Sequence, residues 1–191
     1  MRIIEKIFSR DEIVCPWWLC FTFDNPLRGL IQNPYRILKG YVKPGDSILD
    51  IGPGMGFFTF PLARITGAGG NVTALDIQKE MLIRLERKII KKKVHNVKTK
   101  LYDGNRFDLY DKYDFIMLFW MYHEVRNKAM FIGEIKSVMK PGARIFIAEP
   151  GIHVSLKKYY ESLKLFTNAG FKVIDEPEVA LSRSSVLEVK I

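Results

Sequence analysis

The chain of 191 residues carries 30 Lys+Arg against 21 Asp+Glu, a formal charge of +9 at pH 7, and 48% of its residues are hydrophobic. A chain of this size can bury a core without disulfides or metal, and Cys15 and Cys20, the only cysteines, would close just a short loop, so the framework of a small secreted protein is excluded. The longest apolar runs, Ile13 to Phe23 and Phe115 to Tyr122, fall short of the ~20 apolar residues a bilayer span needs, and Met1-Arg2-Ile3-Ile4-Glu5-Lys6 does not read as a signal peptide, so a reducing cytoplasm is the expected compartment.

Residues 1–42 form an N-terminal extension that contains both cysteines and the segment Cys15-Pro16-Trp17-Trp18-Leu19-Cys20-Phe21-Thr22-Phe23. It reads either as one or two helices packing their aromatics against a sheet layer, or as a lid in which Trp17, Trp18 and Phe21 cover a substrate pocket. From residue 43 to 191 short β-branched or aromatic runs alternate with stretches of helical period, the pattern of an α/β domain. Strands are expected at Ser47–Ile51, Asn71–Asp76, Val97–Tyr102, Tyr113–Phe119, Arg144–Glu149, Phe171–Asp175 and Ser185–Lys190. Between them Met81, Leu82, Leu85 and Ile89, then Phe131, Ile135 and Val138, then Leu156, Tyr159, Leu163 and Phe166 mark apolar stripes three or four residues apart. Lys140-Pro141-Gly142 and Asn168-Ala169-Gly170 read as turns from helix into strand. No helical segment separates the last two strands, so an antiparallel hairpin is expected to close the sheet edge.

The first strand runs into Asp50-Ile51-Gly52-Pro53-Gly54-Met55-Gly56-Phe57, and an apolar helical stretch follows. Glycine there lets the backbone turn tightly and lets a ligand reach the free N–H groups of the helix start. The dinucleotide fingerprint Gly-x-Gly-x-x-Gly is not met, because Phe57 stands where its third glycine belongs, and no Gly-Lys-Ser or Gly-Lys-Thr follows. Asp50 would repel a pyrophosphate but suits a ligand bearing an ammonium and a sulfonium, which points to S-adenosyl-L-methionine. Asp76 ends the second strand about twenty residues beyond the glycines, where a carboxylate can accept hydrogen bonds from both ribose hydroxyls. Tyr102-Asp103-Gly104 ends the third and offers an acid to the adenine amino group. Taken singly, Asp50 and Asp76 are also ordinary helix caps and Asp103-Gly104 an ordinary turn. Their coincidence at the carboxyl ends of three successive strands favours the joint reading.

From about Lys43 onward the chain resembles the class I S-adenosylmethionine-dependent methyltransferases. Asp50-Ile51-Gly52-Pro53-Gly54-Met55-Gly56 is similar to their first motif, Ala74-Leu75-Asp76-Ile77 to the second and Asp103-Gly104 to the third. Phe119-Trp120-Met121-Tyr122-His123-Glu124-Val125 resembles the stretch after the fourth strand, and Lys140 through Pro150 the turn and fifth strand. Within that superfamily the likeness is to the small-molecule branch that includes the ubiquinone/menaquinone-biosynthesis enzymes. It implies a Rossmann-like, seven-stranded, mostly parallel sheet with helices on both faces, and S-adenosylmethionine as cofactor. It also implies that Asp50, Gly52, Pro53, Gly54, Gly56, Asp76, Ile77, Asp103, Gly104 and Phe119 bind that cofactor.

The donor methyl is already activated, so the enzyme mainly aligns an acceptor, and a general base matters only where the acceptor bears a proton. His123 is the candidate base, with a buried structural histidine as the alternative. Trp120 and Tyr122 offer aromatic faces to a sulfonium and a wall to a flat acceptor, or belong to the core. Glu149 and His153 are expected after the fifth strand, in a loop that the resemblance implies borders the acceptor pocket, and His95 is expected at the surface. Scattered histidines and two cysteines give no metal spacing, so no metal is expected. Arg84, Arg87, Lys88, Lys91, Lys92, Lys93, Lys98 and Lys100 form either the solvated side of a helix or a phosphate-binding face. The expected function is methyl transfer to a small organic acceptor. The alternatives are RNA or protein methylation through the basic face, and a non-catalytic partner subunit that binds the cofactor. The aromatic stretch after the fourth strand lacks the Asn/Asp-Pro-Pro-aromatic signature of exocyclic amine methylation.

Overall fold

The computed structural model describes residues 26–189; Cys15, Trp17, Trp18, Cys20 and Phe21 lie outside that range. Seven strands, β1 (Ser47–Ile51), β2 (Asn71–Asp76), β3 (Val97–Leu101), β4 (Tyr113–Phe119), β5 (Met139–Pro150), β6 (Phe171–Asp175) and β7 (Ser182–Val189), form one sheet in the order β3-β2-β1-β4-β5-β7-β6. The first five pair in parallel, whereas β7 runs antiparallel to both β5 and β6. β1 and β4 lie at the centre with nearly every residue buried, which is why they read as near-continuous apolar runs broken only by Ser47, Asp50 and Asp114. The edge strand β3 carries Lys98 and Lys100, charges that keep an exposed edge from pairing further.

Alternate side chains of these strands enter two cores, one on each face of the sheet. Leu49, Ile51, Ile116, Leu118, Ile145 and Ile147 pack with helices α5 (Lys128–Ser137) and α6 (Leu156–Asn168), through Phe131, Ile135, Tyr159, Leu163 and Phe166. Ile48, Val72, Phe115, Met117 and Phe146 face the other way, against α3 (Thr59–Thr66) and the short helix α2 (Pro34–Leu38), which follows α1 (Pro26–Ile31). Helix α4 (Lys79–Lys92) buries Met81, Leu82 and Leu85 and exposes Lys79, Lys91 and Lys92. Side-chain oxygens of Asn33, Asn127 and Ser155 accept from the first free N–H groups of α2, α5 and α6, so the starts of these helices are set locally.

The extension is tied to the far end of the chain: Leu38 and Val42 are buried in the second core, and the Gln32 side-chain amide donates to the carbonyl of Ala180 at 2.6 Å. Three strands differ from the sequence expectation, β3 only by ending at Leu101 rather than Tyr102. Lys140-Pro141-Gly142 does not precede the fifth strand but lies within it, because Met139 already pairs with Tyr113 and the register then shifts so that Arg144 meets Phe115. The last strand begins at Ser182 rather than Ser185, since its ladder with β5 extends to the Ser182–Pro150 pair. The antiparallel pair is present, but β7 lies between β5 and β6, leaving β6 as the edge.

Helix α6 is pinned to β7 by the buried Tyr159 hydroxyl, which donates to Ser185 Oγ at 2.7 Å. Tyr159→Phe is expected to cost about 1 kcal/mol, read as a melting temperature lower by about 2–4 °C. An unchanged melting temperature would show that the bond contributes nothing net.

Candidate active site

Strand order reverses between β1 and β4, and the crevice beyond the carboxyl ends of such strands is where open α/β sheets take ligands. The turn after β1 holds Gly52, Gly54 and Gly56 at φ of 69°, 55° and 90°, a region that side chains other than glycine rarely adopt. At Gly52 the approach is also close: a Cβ there would stand 2.9 Å from Met121 Cβ, so the glycine turn and the turn after β4 touch. At Gly54 a Cβ would meet nothing nearer than Met81 Cε at 3.7 Å, which leaves that side open.

Two carboxylates lie beside the turn. Asp50 is 2% exposed and its Oδ2 accepts a hydrogen bond from the Thr59 hydroxyl at 2.6 Å. Burial pushes its carboxyl up to about 7, with the Asp76 charge adding to the rise and the Thr59 bond opposing it. Asp76, at the end of β2, is 8% exposed and accepts from the Gln78 N–H at 2.9 Å. Burial raises it to about 6, against the pull of backbone hydrogen bonds from Gln78 and Ile77. Ile77, just beyond, is exposed. Asp103 is on the surface, with Oδ1 accepting from the N–H groups of Asn105 and Arg106, and those bonds hold its carboxyl below the usual range.

On the other side of the switch point, β4 ends in Phe119 and the chain passes through Trp120 at φ 59°, a left-handed conformation costly for a bulky residue. It is held there by its N–H on the Ala148 carbonyl and by its indole N–H on Ser182 Oγ at 2.9 Å. The Arg28 guanidinium lies over the rings of Phe57 and Trp120, 4.1 and 4.7 Å from their centroids, which brings α1 to the rim of the crevice.

A 3-10 turn, Tyr122–Glu124, follows. Tyr122 is fully buried among Phe131 and Phe166, and its hydroxyl has no hydrogen-bond partner among the described residues. His123 keeps 30% of its side chain exposed and places Nδ1 2.8 Å from Glu149 Oε2. His153 is exposed in the turn after β5, and His95 is exposed before β3. Among the described residues no group of three or more His, Cys, Asp or Glu could hold a metal ion, and no helix is long and apolar enough to cross a membrane.

A family profile described as "Methyltransferase domain" matches residues 42–177. The chain belongs to this methyltransferase family. The ubiquinone/menaquinone biosynthesis C-methyltransferase UbiE of Teredinibacter turnerae is 32% identical over 121 residues, covering 62% of this chain and 49% of the relative. UbiE of Burkholderia mallei is 30% identical over 129 residues, covering 66% and 53%. The chain thus spans about half the length of these curated relatives. A SAM-dependent methyltransferase from Aquifex aeolicus superposes with a TM-score of 0.83 at 28% identity, over 92% of this chain and 99% of its own. Aeropyrum pernix fibrillarin, solved with natively bound S-adenosyl-L-methionine, shares the fold with a TM-score of 0.64 at 19% identity, over 82% and 76%.

The chain therefore carries a class I S-adenosylmethionine-dependent methyltransferase domain, and the donor set fits that cofactor. The carboxylates of Asp50 and Asp76 stand beside a glycine turn that carries no basic residue, an environment for a cation and a ribose rather than a pyrophosphate. Sequence reading missed Thr59 and Arg28 and put Glu149 in a loop after the fifth strand, whereas it lies within β5, whose ladder with β7 runs on to Pro150, and is buried. Glu149 leaves one trace in the sequence, as the lone acid in the otherwise apolar stretch Ile145–Pro150.

Proposed function

We propose that this methyltransferase transfers the methyl group of S-adenosylmethionine to a small organic acceptor held beyond the carboxyl ends of β4 and β5. When bound, the cofactor supplies a methyl group already activated on a sulfonium. Asp50 and the turn of Gly52, Pro53, Gly54 and Gly56 hold its methionine part, and the Asp76 carboxylate accepts from the ribose hydroxyls. Ile77 and Asp103-Gly104 flank the adenine, and Phe119 lies between cofactor and acceptor. Trp120 forms a wall of the acceptor space, with Tyr122 beneath it and His153 at its margin. His123 takes a proton from an acceptor that carries one. The reaction is placed in the cytoplasm, and among the described residues no helix is long and apolar enough to cross a membrane.

The observation that carries the reading is the contact between the two turns: Met121 abuts Gly52, and a partly exposed imidazole stands two residues farther along. The name of the UbiE relatives, a C-methyltransferase of ubiquinone and menaquinone biosynthesis, supports acceptors of the quinol class. One observation favours a polyanion instead, namely the groove on the outer side of the glycine turn, lined by Phe57, Phe60, Lys88, Lys91 and Lys92. Two of its cations are already engaged within the chain, Lys88 on the Met55 carbonyl and Lys92 over Phe60.

The test is incorporation of labelled methyl groups into a panel of phenols and hydroquinones, beside total RNA and mixed protein. Turnover of a small acceptor that persists between ~50 and ~200 mM salt is expected, whereas an RNA activity would fall by orders of magnitude over that range. Methylation of RNA or protein alone would overturn the proposal.

A further inference from the structure

The last six residues of β5, Ile145 to Pro150, are all buried, and the only ionisable side chain among them is Glu149, 1% exposed. A carboxylate so placed is retained only with full hydrogen bonding. Among the described residues its hydrogen-bond partners all come from the turn after β4: Oε1 accepts from the Tyr122 N–H at 3.1 Å, Oε2 from the His123 N–H at 3.0 Å, and Oε2 also meets His123 Nδ1 at 2.8 Å. A carboxylate has only acceptor sites, so the hydrogen of that last bond resides on Nδ1. In the neutral ring, Nε2 then carries the lone pair, and its nearest acid, Glu124 of the same turn, is 3.9 Å away and outside hydrogen-bond reach.

We propose that Glu149 is a positioning residue for methyl transfer, fixing the ring of His123 and its Nδ1–H tautomer so that Nε2 faces the acceptor as a proton acceptor. The inference rests on the acceptor lying beside His123, as above, and it names the class of acceptor: one with an ionisable proton, a phenol, enol or hydroquinone, rather than a tertiary amine or thioether. His123 Nε2 takes the acceptor's proton as the acceptor's lone pair bonds to the methyl carbon, the electrons of the broken carbon–sulfur bond staying on sulfur, and it then gives the proton to water.

The charged groups around the ring are Glu149 from β5, Glu124 from its own turn and Lys128 from α5. Burial alone would lower the imidazole, and Lys128 acts in the same sense. The hydrogen bond and charge of Glu149 with the charge of Glu124 outweigh them and raise it above the ordinary value. A base is competent only when unprotonated, so turnover rises with pH through that raised value.

The experiment is nitrogen NMR of histidine-labelled full-length protein, with His123 assigned by its loss in His123→Gln, beside the pH profile of methyl transfer to a hydroquinone. In the wild type the neutral ring of His123 is expected to carry its proton on Nδ1. In Glu149→Gln its titration and the acid limb of kcat both move to lower pH, with kcat down about tenfold or more and KM little changed. Glu149→Asp, which restores a carboxylate, recovers part of the wild-type titration, and it carries the comparison if Glu149→Gln does not fold. A neutral wild-type ring protonated on Nε2 would overturn the positioning role whatever the activity. The expected tautomer and titration shift with an unmoved acid limb of kcat would instead overturn the placement of the acceptor at His123.

Discussion

Asp76→Ala is expected to lower the affinity for S-adenosylmethionine by about two orders of magnitude while leaving the fold intact. A carboxylate that accepts from both ribose hydroxyls makes two hydrogen bonds to a charged group, each worth about 1.5–3 kcal/mol. The backbone N–H of Gln78, which also donates to this carboxylate at 2.9 Å, loses its partner in the same variant. Asp76→Asn separates the two effects, because its carbonyl oxygen keeps the Gln78 bond but the side chain offers one acceptor to two hydroxyls. About a tenfold loss is expected there. Calorimetric titration of wild type and both variants, with thermal melts to confirm folding, reads these differences. An Asp76→Ala affinity equal to wild type would overturn the placement of the ribose.

The second large effect is on pH. Asp50, raised to about 7, is half protonated near neutrality, whereas in the unfolded chain it ionises near pH 4. The sign follows from linkage: between those values the folded state holds a proton that the unfolded state has released, so this group makes stability fall as pH rises from about 4 to about 7 and adds no further change above. A bound ammonium and sulfonium favour the ionised form, so binding expels that proton. Affinity for S-adenosylmethionine is then expected to weaken about 30-fold from pH 8 to pH 5.5 through Asp50 alone, with Asp76, raised to about 6, adding to the loss at the acid end.

Asp50→Asn should show opposite effects on the two readouts. Its amide oxygen keeps the Thr59 hydrogen bond and the buried charge disappears, so the folded state at pH 8 gains about 1–3 kcal/mol while cofactor affinity falls and its pH dependence flattens. A variant that is less stable at pH 8, or one that retains the wild-type pH dependence of binding, would contradict the role given to Asp50.

Much of the scaffold is legible in the chain. β1, β2, β4 and β6 match their expected limits residue for residue: in the first three a buried parallel strand is a near-continuous apolar run whose end lies close to the turn that stops it, whereas β6, an exposed antiparallel edge strand, is bounded by Gly170 and Pro177. Pairing across the sheet is not local, and there the sequence is silent. Pro141-Gly142 carries the signature of a turn, yet Met139 before it is held in the sheet by Tyr113. Nothing in Ser182–Val189 says that it enters between β5 and β6.

The same division holds in the site. Asp50, Asp76 and the glycines are recognisable because strand, turn and helix are contiguous around them. The Glu149 grip on His123 joins β5 to the turn after the neighbouring β4, between residues 26 apart, and the Arg28 stack joins the extension to two separate turns. Such contacts arise only when the sheet is assembled.

The central claim is that the acidic crevice at the carboxyl ends of β1 and β2 takes a cationic adenosyl ligand. It is tested most directly by titrating the purified wild-type protein, in two buffers of different ionisation enthalpy, with S-adenosylmethionine and separately with NADH. The account predicts 1:1 binding of S-adenosylmethionine in the micromolar range with net proton release at pH 7, and no heat from NADH. Binding of NADH, or the absence of S-adenosylmethionine binding by folded protein, would contradict it.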